Sequence, residues 1–252
     1  MNFIKNFFPR KSFKKPDFII AGFSKCGTTA LAHNLDKHPD IDIVKMSDKN
    51  FEVLFFNIEK NWSKGKNWYF SHFEGRCAGE KTPSYVYTSK SMKRIFRVLP
   101  NIKLILCVRN PVDRLISWYE HKVIRLNKFS PEEYPLSSYK TFPEQRFYDP
   151  VKTGCYAEII KNNVLPYFSL DKCHFVIQEN MKMNPDIEMQ KILKYLGVDE
   201  IPLICENINI SKNKVSVDQK TREELLNYKN FGKKSLDEIE MKLKELGVTL
   251  KE

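Results

Sequence analysis

The sequence contains no apolar run close to the roughly 20 residues that a membrane-spanning helix requires. Its N-terminus also lacks the apolar stretch and the small-residue cleavage site of a signal peptide. The six cysteines are scattered along the chain, without a C-x-x-C pair or a nearby cysteine and histidine cluster at zinc-ligand spacing. These absences predict a soluble, cytoplasmic protein with reduced cysteines and no metal site.

Glycine is scarce as well, with nine residues in a chain of 252, yet Gly22 and Gly27 lie only five residues apart. The hydrophobic content of 42% argues against disorder and against a coiled coil. A chain of this length buries roughly three quarters of its unfolded surface, which is enough for one core without disulfides. We therefore predict a single domain over residues 16–252, preceded by a basic tail over residues 1–15.

Acidic residues are outnumbered, with 31 aspartates and glutamates against 42 lysines and arginines, which gives a formal net charge of +11. Such an excess suits nucleic acid, an anionic membrane surface, an anionic cofactor or an acidic polymer. The tail holds five of the positive charges among aromatic residues, which allows at most a weak, peripheral membrane contact. No RRM, KH or helix-turn-helix signature is present, so nucleic acid is not expected as a partner.

Apolar runs alternate with helical periods along the chain, a pattern that predicts βαβ units. We predict the α/β class, with a P-loop-like central parallel β-sheet flanked by helices on both faces. The predicted strands are 17–21, 75–79, 102–108 and 173–177, and the predicted helices are 28–38, 88–98, 111–126, 154–168, 185–196, 219–231 and 235–246. Two long irregular segments, 59–74 and 127–150, have the length of lids or binding surfaces.

A candidate phosphate loop lies between the first predicted strand and the first predicted helix, in residues 22–29 (GFSKCGTT). Backbone N–H groups and the helix dipole make an anion site at such a junction. The P-loop of nucleoside triphosphatases has a lysine directly after its second glycine. Here Thr28 occupies that position, and the lysine lies inside the loop at Lys25.

The strand predicted over residues 102–108 ends in Arg109, where a nucleoside triphosphatase would have a carboxylate for Mg²⁺. An arginine there can direct two N–H groups at an anion in the crevice where α/β sheets bind ligands. Asn110 and Pro111 suit the cap and first residue of the next helix, and Ser117 lies two turns further along it. The pattern predicts a nucleotide held through at least two phosphate groups without an evident metal ion.

Three separated stretches carry a family resemblance: PDFIIAGFSKCGTT (16–29), GEKTPSY (79–85) and VRNPVDRLISWY (108–119). In order and spacing they resemble the sulfotransferases that use 3′-phosphoadenosine 5′-phosphosulfate (PAPS). The motif pattern is most similar to that of the heparan-sulfate and related carbohydrate sulfotransferases and their bacterial relatives. The resemblance covers about residues 16–215.

The resemblance implies PAPS as donor, 3′-phosphoadenosine 5′-phosphate (PAP) as product, and no required metal. It places Arg109 and Ser117 on the 3′-phosphate. A late basic loop closing over the same phosphate is implied at Ser211, Lys212 and Lys214. The residues implied to hold the 5′-phosphosulfate are Ser24, Lys25, Cys26, Gly27, Thr28 and Thr29.

The catalytic residues implied by the resemblance are Glu52, Lys25 and Lys81. Residues 51–56 resemble the family segment whose glutamate is the base, which gives that role to Glu52. Lys25 can stabilise charge that develops on the leaving phosphate oxygen. Lys81 is expected to reach the sulfuryl oxygens or the acceptor, the alternative being a surface lysine paired with Glu80. His72 is a second candidate for the base.

The function implied is transfer of a sulfuryl group to a hydroxyl, or an amine, of a carbohydrate acceptor. An alternative is a P-loop nucleotide kinase, which Thr28 and Arg109 oppose at the two positions where that class needs a lysine and a carboxylate. Lysines and aromatic residues in the two irregular segments suit stacking on sugar rings and attraction to an acidic glycan.

Overall fold

The computed structural model describes residues 13–47, 51–122 and 149–206, together with Leu136, Glu223 and Met241. The strands are β1 (Phe18–Gly22), β2 (Ile41–Ile43), β3 (Cys77–Lys81), β4 (Lys103–Val108) and β5 (Cys173–Ile177). The α-helices are α1 (Thr28–Leu35), α2 (Glu59–Trp62), α3 (Gly65–Phe70), α4 (Ser89–Val98), α5 (Pro111–Tyr119), α6 (Tyr156–Ile159), α7 (Gln178–Met183) and α8 (Pro185–Leu196).

The strands form one five-stranded sheet in the order β2-β3-β1-β4-β5, and all four pairings are parallel. Every residue of β1 and β3 is buried, as expected for strands covered on both faces. The chain crosses from one strand to the next through helices, which is the connection that parallel pairing requires. The predicted α/β class with a central parallel sheet is thus confirmed.

Several element boundaries match their sequence signals. β5 has the predicted bounds, and so does α8, which ends where Gly197 adopts a left-handed conformation (φ 79°). Helix α5 begins at Pro111, and the Asn110 side chain caps it by accepting the backbone N–H groups of Val112 and Asp113. Proline at the first position and asparagine at the cap are the residues that a helix start favours.

Other boundaries differ. The third strand runs from Cys77 to Lys81, two residues later than the predicted strand 75–79. The prediction stopped before the charged residues Glu80 and Lys81, which the structure buries within the strand. Strand β2 and helix α7 were not predicted. The predicted helix 154–168 is wrong as a continuous α-helix: α6 passes into a π-helical turn over Ile160–Val164, closed by the Leu165 N–H on the Ile160 carbonyl.

The segment 59–74 is not irregular, since it contains α2 and α3. Its aromatic side chains belong mainly to the core rather than to an exposed surface. Tyr69, Phe70 and Phe73 are buried, and Trp62 and Trp68 pack against the same cluster. Three predicted regions lie largely outside the described residues: the helices 219–231 and 235–246 apart from Glu223 and Met241, most of the segment 127–150, and residues 1–12 of the tail.

Across the described ranges, no helix has both the length and the apolar character needed to cross a membrane.

A glycine in β3 leaves room for an aromatic side chain of the neighbouring strand. Gly79 is the register partner of Phe18 in β1, and both are fully enclosed. A Cβ at position 79 would overlap the Phe18 ring, with the ring's Cε2 only 2.6 Å away. The contact fixes how β1, which precedes the phosphate loop, meets β3, which leads to Lys81.

We expect Gly79→Ala to lower the free energy of unfolding by about 1–3 kcal/mol, because the added methyl overpacks the core at the Phe18 ring. Urea denaturation measures the change. The double variant Phe18→Leu/Gly79→Ala should recover part of the loss, since the smaller side chain leaves room. Phe18→Leu alone gives the reference loss of stability. If the losses of the two single variants simply added in the double variant, overlap with the Phe18 ring would not be the cause.

Candidate active site

Most of the predicted site residues within the described ranges lie at the carboxyl ends of the parallel strands. The phosphate loop follows β1, Lys81 ends β3 and Arg109 follows β4. Parallel strands end at one edge of a sheet, and ligands of open α/β sheets bind in the crevice outside that edge. The topology therefore gathers distant sequence motifs into one place.

The loop between β1 and α1 has the backbone form of an anion site. Lys25 (φ 70°) and Gly27 (φ 83°) both adopt the left-handed conformation, which recurs in backbone turns that bind anions. No side chain caps α1, and its first turn contains no acidic residue. The N–H groups and the positive end of the helix dipole at Thr28 and Thr29 thus suit a phosphate or sulfate group.

The hydroxyl groups of two tyrosines contact the loop. The Tyr87 hydroxyl accepts the backbone N–H of Ser24 at 3.0 Å, and the Tyr156 hydroxyl lies 3.4 Å from the Cys26 sulfur. Phe23 packs its ring edge-on against both tyrosine rings. Burial raises the pKa of the Cys26 thiol to about 11, so this cysteine is a neutral part of the support. Its side chain is almost fully buried.

Gly27 is needed for space as well as for its conformation. A Cβ there would lie 3.1 Å from the side-chain nitrogen of Gln178, at the start of α7. The opposite end of that amide, the Gln178 Oε1, is buried and has no hydrogen-bond partner among the described residues. Gln178 was not predicted as a site residue.

Lys81 joins three of the predicted motifs. Its side chain is only 6% exposed, and its Nζ donates to the Glu52 Oε1 at 2.9 Å and to the Thr29 hydroxyl at 3.2 Å. The alternative of a surface lysine paired with Glu80 is therefore wrong. Glu80 instead accepts hydrogen bonds from buried hydroxyl groups within the protein.

The two candidates for the base have different surroundings. The Glu52 side chain is 32% exposed and is held by Lys81, beside the first turn of α1. His72 follows α3 and packs edge-on against the Trp68 ring, with centroids 4.6 Å apart. Burial lowers the pKa of His72, and the nearby Lys64 charge lowers it further. Of the two, Glu52 is the one in direct contact with predicted site residues.

Arg109 lies where the sequence placed it, directly after β4, and its Nε is buried with no hydrogen-bond partner among the described residues. A guanidinium nitrogen of this kind is a donor that an anionic group can satisfy. Glu179 supports the turn, since its Oε1 accepts the backbone N–H of Asn110 at 3.0 Å. Ser117 is half-buried two turns into α5.

Arg114, one turn into α5, was not predicted as a functional residue. Its side chain is buried and donates to the carbonyl of Pro150. Its charge acts on the thiol of Cys26 and the hydroxyls of Tyr87 and Tyr156, lowering the pKa of each against the larger opposing effect of burial. Arg114 thus places positive potential beneath the phosphate loop.

The predicted late basic loop, with Ser211, Lys212 and Lys214, lies outside the described residues. The chain that leads to it is held on α1. Asn34 exchanges two hydrogen bonds with the backbone of Glu206, and Lys37 binds the Glu206 carboxylate at 2.8 Å. The last described residue before that loop therefore lies beside the helix that carries Thr28 and Thr29.

In the described part of the chain, no three histidine, cysteine or acidic side chains are grouped as ligands for a metal ion. The strand-end position that holds Mg²⁺ in nucleoside triphosphatases is Arg109 here. The polar groups at this edge of the sheet are thus mainly cationic and amide donors, which suit anionic oxygens.

A separate cavity of about 510 Å³ lies at the opposite, amino end of the strands. Lys15, Asp17, Lys103 and Gly197 are among its lining residues, and none of the predicted site residues is. The cavity has no part in the site described above.

Comparison with known proteins finds related sequences and a related fold. The family model described as the sulfotransferase domain matches residues 15–244. Human heparan sulfate glucosamine 3-O-sulfotransferase 6 is 30% identical over 190 residues, which are 74% of this chain and 53% of that protein. The bifunctional heparan sulfate N-deacetylase/N-sulfotransferase 1 of Caenorhabditis elegans is 28% identical over 193 residues, 74% of this chain and 22% of that protein.

The membrane-associated sulfotransferase kil1 of Dictyostelium discoideum is 38% identical over 128 residues, 47% of this chain and 26% of that protein. The chain therefore spans between about a fifth and about a half of the length of these curated relatives.

A solved sulfotransferase from Alicyclobacillus acidocaldarius shares the fold, with a TM-score of 0.69 over 92% of this chain and 96% of that one, at 22% identity. The family match covers all three sequence motifs and the described site. The chain therefore belongs to the sulfotransferase family.

Proposed function

We propose that this protein transfers the sulfuryl group of PAPS to a hydroxyl, or an amine, of a carbohydrate acceptor. The observation that carries the proposal is the contact of one buried lysine with two other motifs. Lys81 binds Glu52, the candidate base, and Thr29, at the candidate phosphate site. A base and an anion site within reach of one side chain are the arrangement that sulfuryl transfer between two bound substrates needs.

The donor side of the site fits a nucleotide with two anionic groups. The uncapped start of α1, with Lys25 in the loop, suits the 5′-phosphosulfate. The unpartnered Nε of Arg109 and the hydroxyl of Ser117 suit the 3′-phosphate. Ser211, Lys212 and Lys214 remain proposed contacts of that same phosphate.

The chemistry divides among three side chains. Glu52 accepts the proton of the acceptor hydroxyl as the acceptor oxygen forms its bond to sulfur. The sulfur–oxygen bond to the 5′-phosphate breaks, and its electron pair remains on PAP. Lys25 stabilises that developing charge with its ammonium group. Lys81 orients the Glu52 carboxylate and adds positive charge between donor and acceptor.

Metal ions are not part of the proposal. Lysine and arginine provide the positive charge that Mg²⁺ provides in nucleoside triphosphatases. The P-loop kinase alternative has less support, since the position that would hold a magnesium carboxylate is an arginine whose Nε has no partner in the described residues.

The acceptor class rests on charge and on the relatives. Three lysines are exposed after the Glu52 segment: Lys60 in α2, Lys64 between the helices and Lys66 in α3. Exposed positive charge suits an acidic polysaccharide. The names of two curated relatives refer to heparan sulfate. We therefore propose a polysaccharide, with acidic glycans as the first acceptors to test.

Replacing Glu52 with glutamine should lower turnover with PAPS by about 100-fold or more, because the amide cannot accept the proton. The Kd for PAP should change less than about threefold, since Glu52 does not hold the donor. Assays with labelled PAPS and calorimetry with PAP measure the two quantities. Glu74→Gln, at an exposed glutamate after α3, is the matched control and should leave both unchanged. If Glu52→Gln kept most of the turnover, the role of base would move to His72.

Replacing Arg109 with alanine should weaken PAP binding by about 10- to 100-fold, because a charge-assisted hydrogen bond to the 3′-phosphate is lost. Arg97→Ala, at an exposed position on α4, is the control and should bind like the unchanged protein.

The same calorimeter separates the alternatives. PAP should bind equally well with and without EDTA, and more tightly than ATP with Mg²⁺ or single-stranded DNA. Preference for ATP with Mg²⁺ would contradict the proposed function and favour a kinase.

A further inference from the structure

Glu80 is a fully buried carboxylate in β3, next to Lys81 in sequence but turned away from it. Three hydroxyl groups donate to it: Tyr69 at 2.6 Å, Thr82 at 3.0 Å and Tyr85 at 3.2 Å. Burial raises the pKa of Glu80 to about 7, with the three hydrogen bonds opposing the shift. Burying a carboxylate has a large desolvation penalty, which the hydrogen bonds to Glu80 must offset.

The carboxylate determines which way the hydroxyl groups point. A hydroxyl has one proton to donate and two lone pairs with which to accept. Because Thr82 and Tyr85 donate their protons to Glu80, their lone pairs are available to other donors. The Tyr85 oxygen accepts the Phe55 backbone N–H at 2.9 Å, and the Thr82 oxygen accepts the Leu54 N–H at 3.4 Å.

Those two amides belong to the segment that carries Glu52. Residues 51–54 form neither helix nor strand, and Leu54 has a positive φ of 55°. The segment therefore has no ladder of its own hydrogen bonds to fix it. Side chains hold it instead: Thr82 and Tyr85 from the β3 side, and Asn61, which donates to the carbonyls of Val53 and Leu54.

We infer that Glu80 is a positioning residue, which acts through Tyr85 and Thr82 to fix the segment around Glu52 against β3. The inference rests on the proposed role of Glu52 as the base. Glu80 touches neither donor nor acceptor. Its effect is on where the base lies: Lys81 holds the Glu52 carboxylate, and the two hydroxyl groups hold the backbone two and three residues beyond it.

Two tyrosines provide a matched test, because both hydroxyl groups donate to Glu80 but only that of Tyr85 also accepts backbone N–H groups of the segment after Glu52. The Tyr69 ring stacks on Phe55, a contact that Tyr69→Phe retains. Tyr85→Phe removes the acceptor of the Phe55 and Phe56 N–H groups. Tyr69→Phe removes a hydroxyl that comes from α3 and is just as deeply buried. We expect Tyr85→Phe to lower kcat by about 10- to 100-fold, the scale of a misplaced catalytic group, with Kd for PAP unchanged. Tyr69→Phe should lower kcat less than threefold.

Equal losses of kcat in the two variants, at comparable stability in urea, would overturn the inference, because they would reduce it to a general effect of losing a buried hydroxyl. A double-mutant cycle gives a second criterion. Since Glu80 acts through Tyr85, the variant Glu80→Gln/Tyr85→Phe should have a kcat close to that of the slower single variant. Fully multiplicative losses would contradict a shared route.

Hydrogen exchange provides a readout that needs no acceptor. The amides of Phe55 and Phe56 should exchange faster in Tyr85→Phe than in Tyr69→Phe, since only the first loses their acceptor. Unchanged exchange in Tyr85→Phe would overturn the inference whatever the enzyme assays show. The turnover of Glu52→Gln separates failure of the proposed base from failure of the positioning role. If that variant remains active, the proposed base is wrong, whereas an inactive Glu52→Gln beside a fully active Tyr85→Phe defeats only the positioning role.

Discussion

A buried ammonium group must be paired, and the pairing of Lys81 determines how the active-site edge is assembled. Its side chain is almost fully enclosed, so the desolvation penalty has to be offset by close partners. Those partners come from the segment before α2 and from the first turn of α1. One side chain at the end of β3 therefore ties the candidate base to the candidate phosphate site, although the three residues are far apart in sequence.

The adjacent Glu80 is also a buried charged residue, of opposite sign and on the opposite face of the sheet. Successive residues in a strand point to opposite faces, so Glu80 and Lys81 cannot neutralise each other although they are neighbours. Each is compensated separately, Glu80 by hydroxyl groups and Lys81 by a carboxylate and a hydroxyl. The segment that contains Glu52 meets both sets of partners. Two buried charges of opposite sign thus hold the same short stretch of backbone from two directions.

Sequence alone predicted what depends on local pattern. The apolar run of β5, the Asn110 cap and the left-handed Gly197 each have a local physical cause, and each lies where expected. The end of β3 was missed because buried charged residues have the composition of a loop. The hydroxyl partners of Glu80 and the contact of Cys26 with Tyr156, 130 residues away, depend on tertiary packing, which no local pattern encodes. The catalytic and binding roles of the site residues remain predictions, from the sequence and from the structure alike.

The strand order also has a kinetic consequence. The central strand β1 pairs with β3 and β4, whose register partners for Phe18 lie 61 and 85 residues further along the chain. One of these long loops must close before β1 gains a neighbour, and both must close before it has two. Long-range parallel pairing of this kind slows folding. The anion-binding loop directly follows β1, and its Phe23 N–H bonds to the Cys107 carbonyl of β4. We therefore expect the candidate phosphate loop to take its final form only once the centre of the sheet has closed.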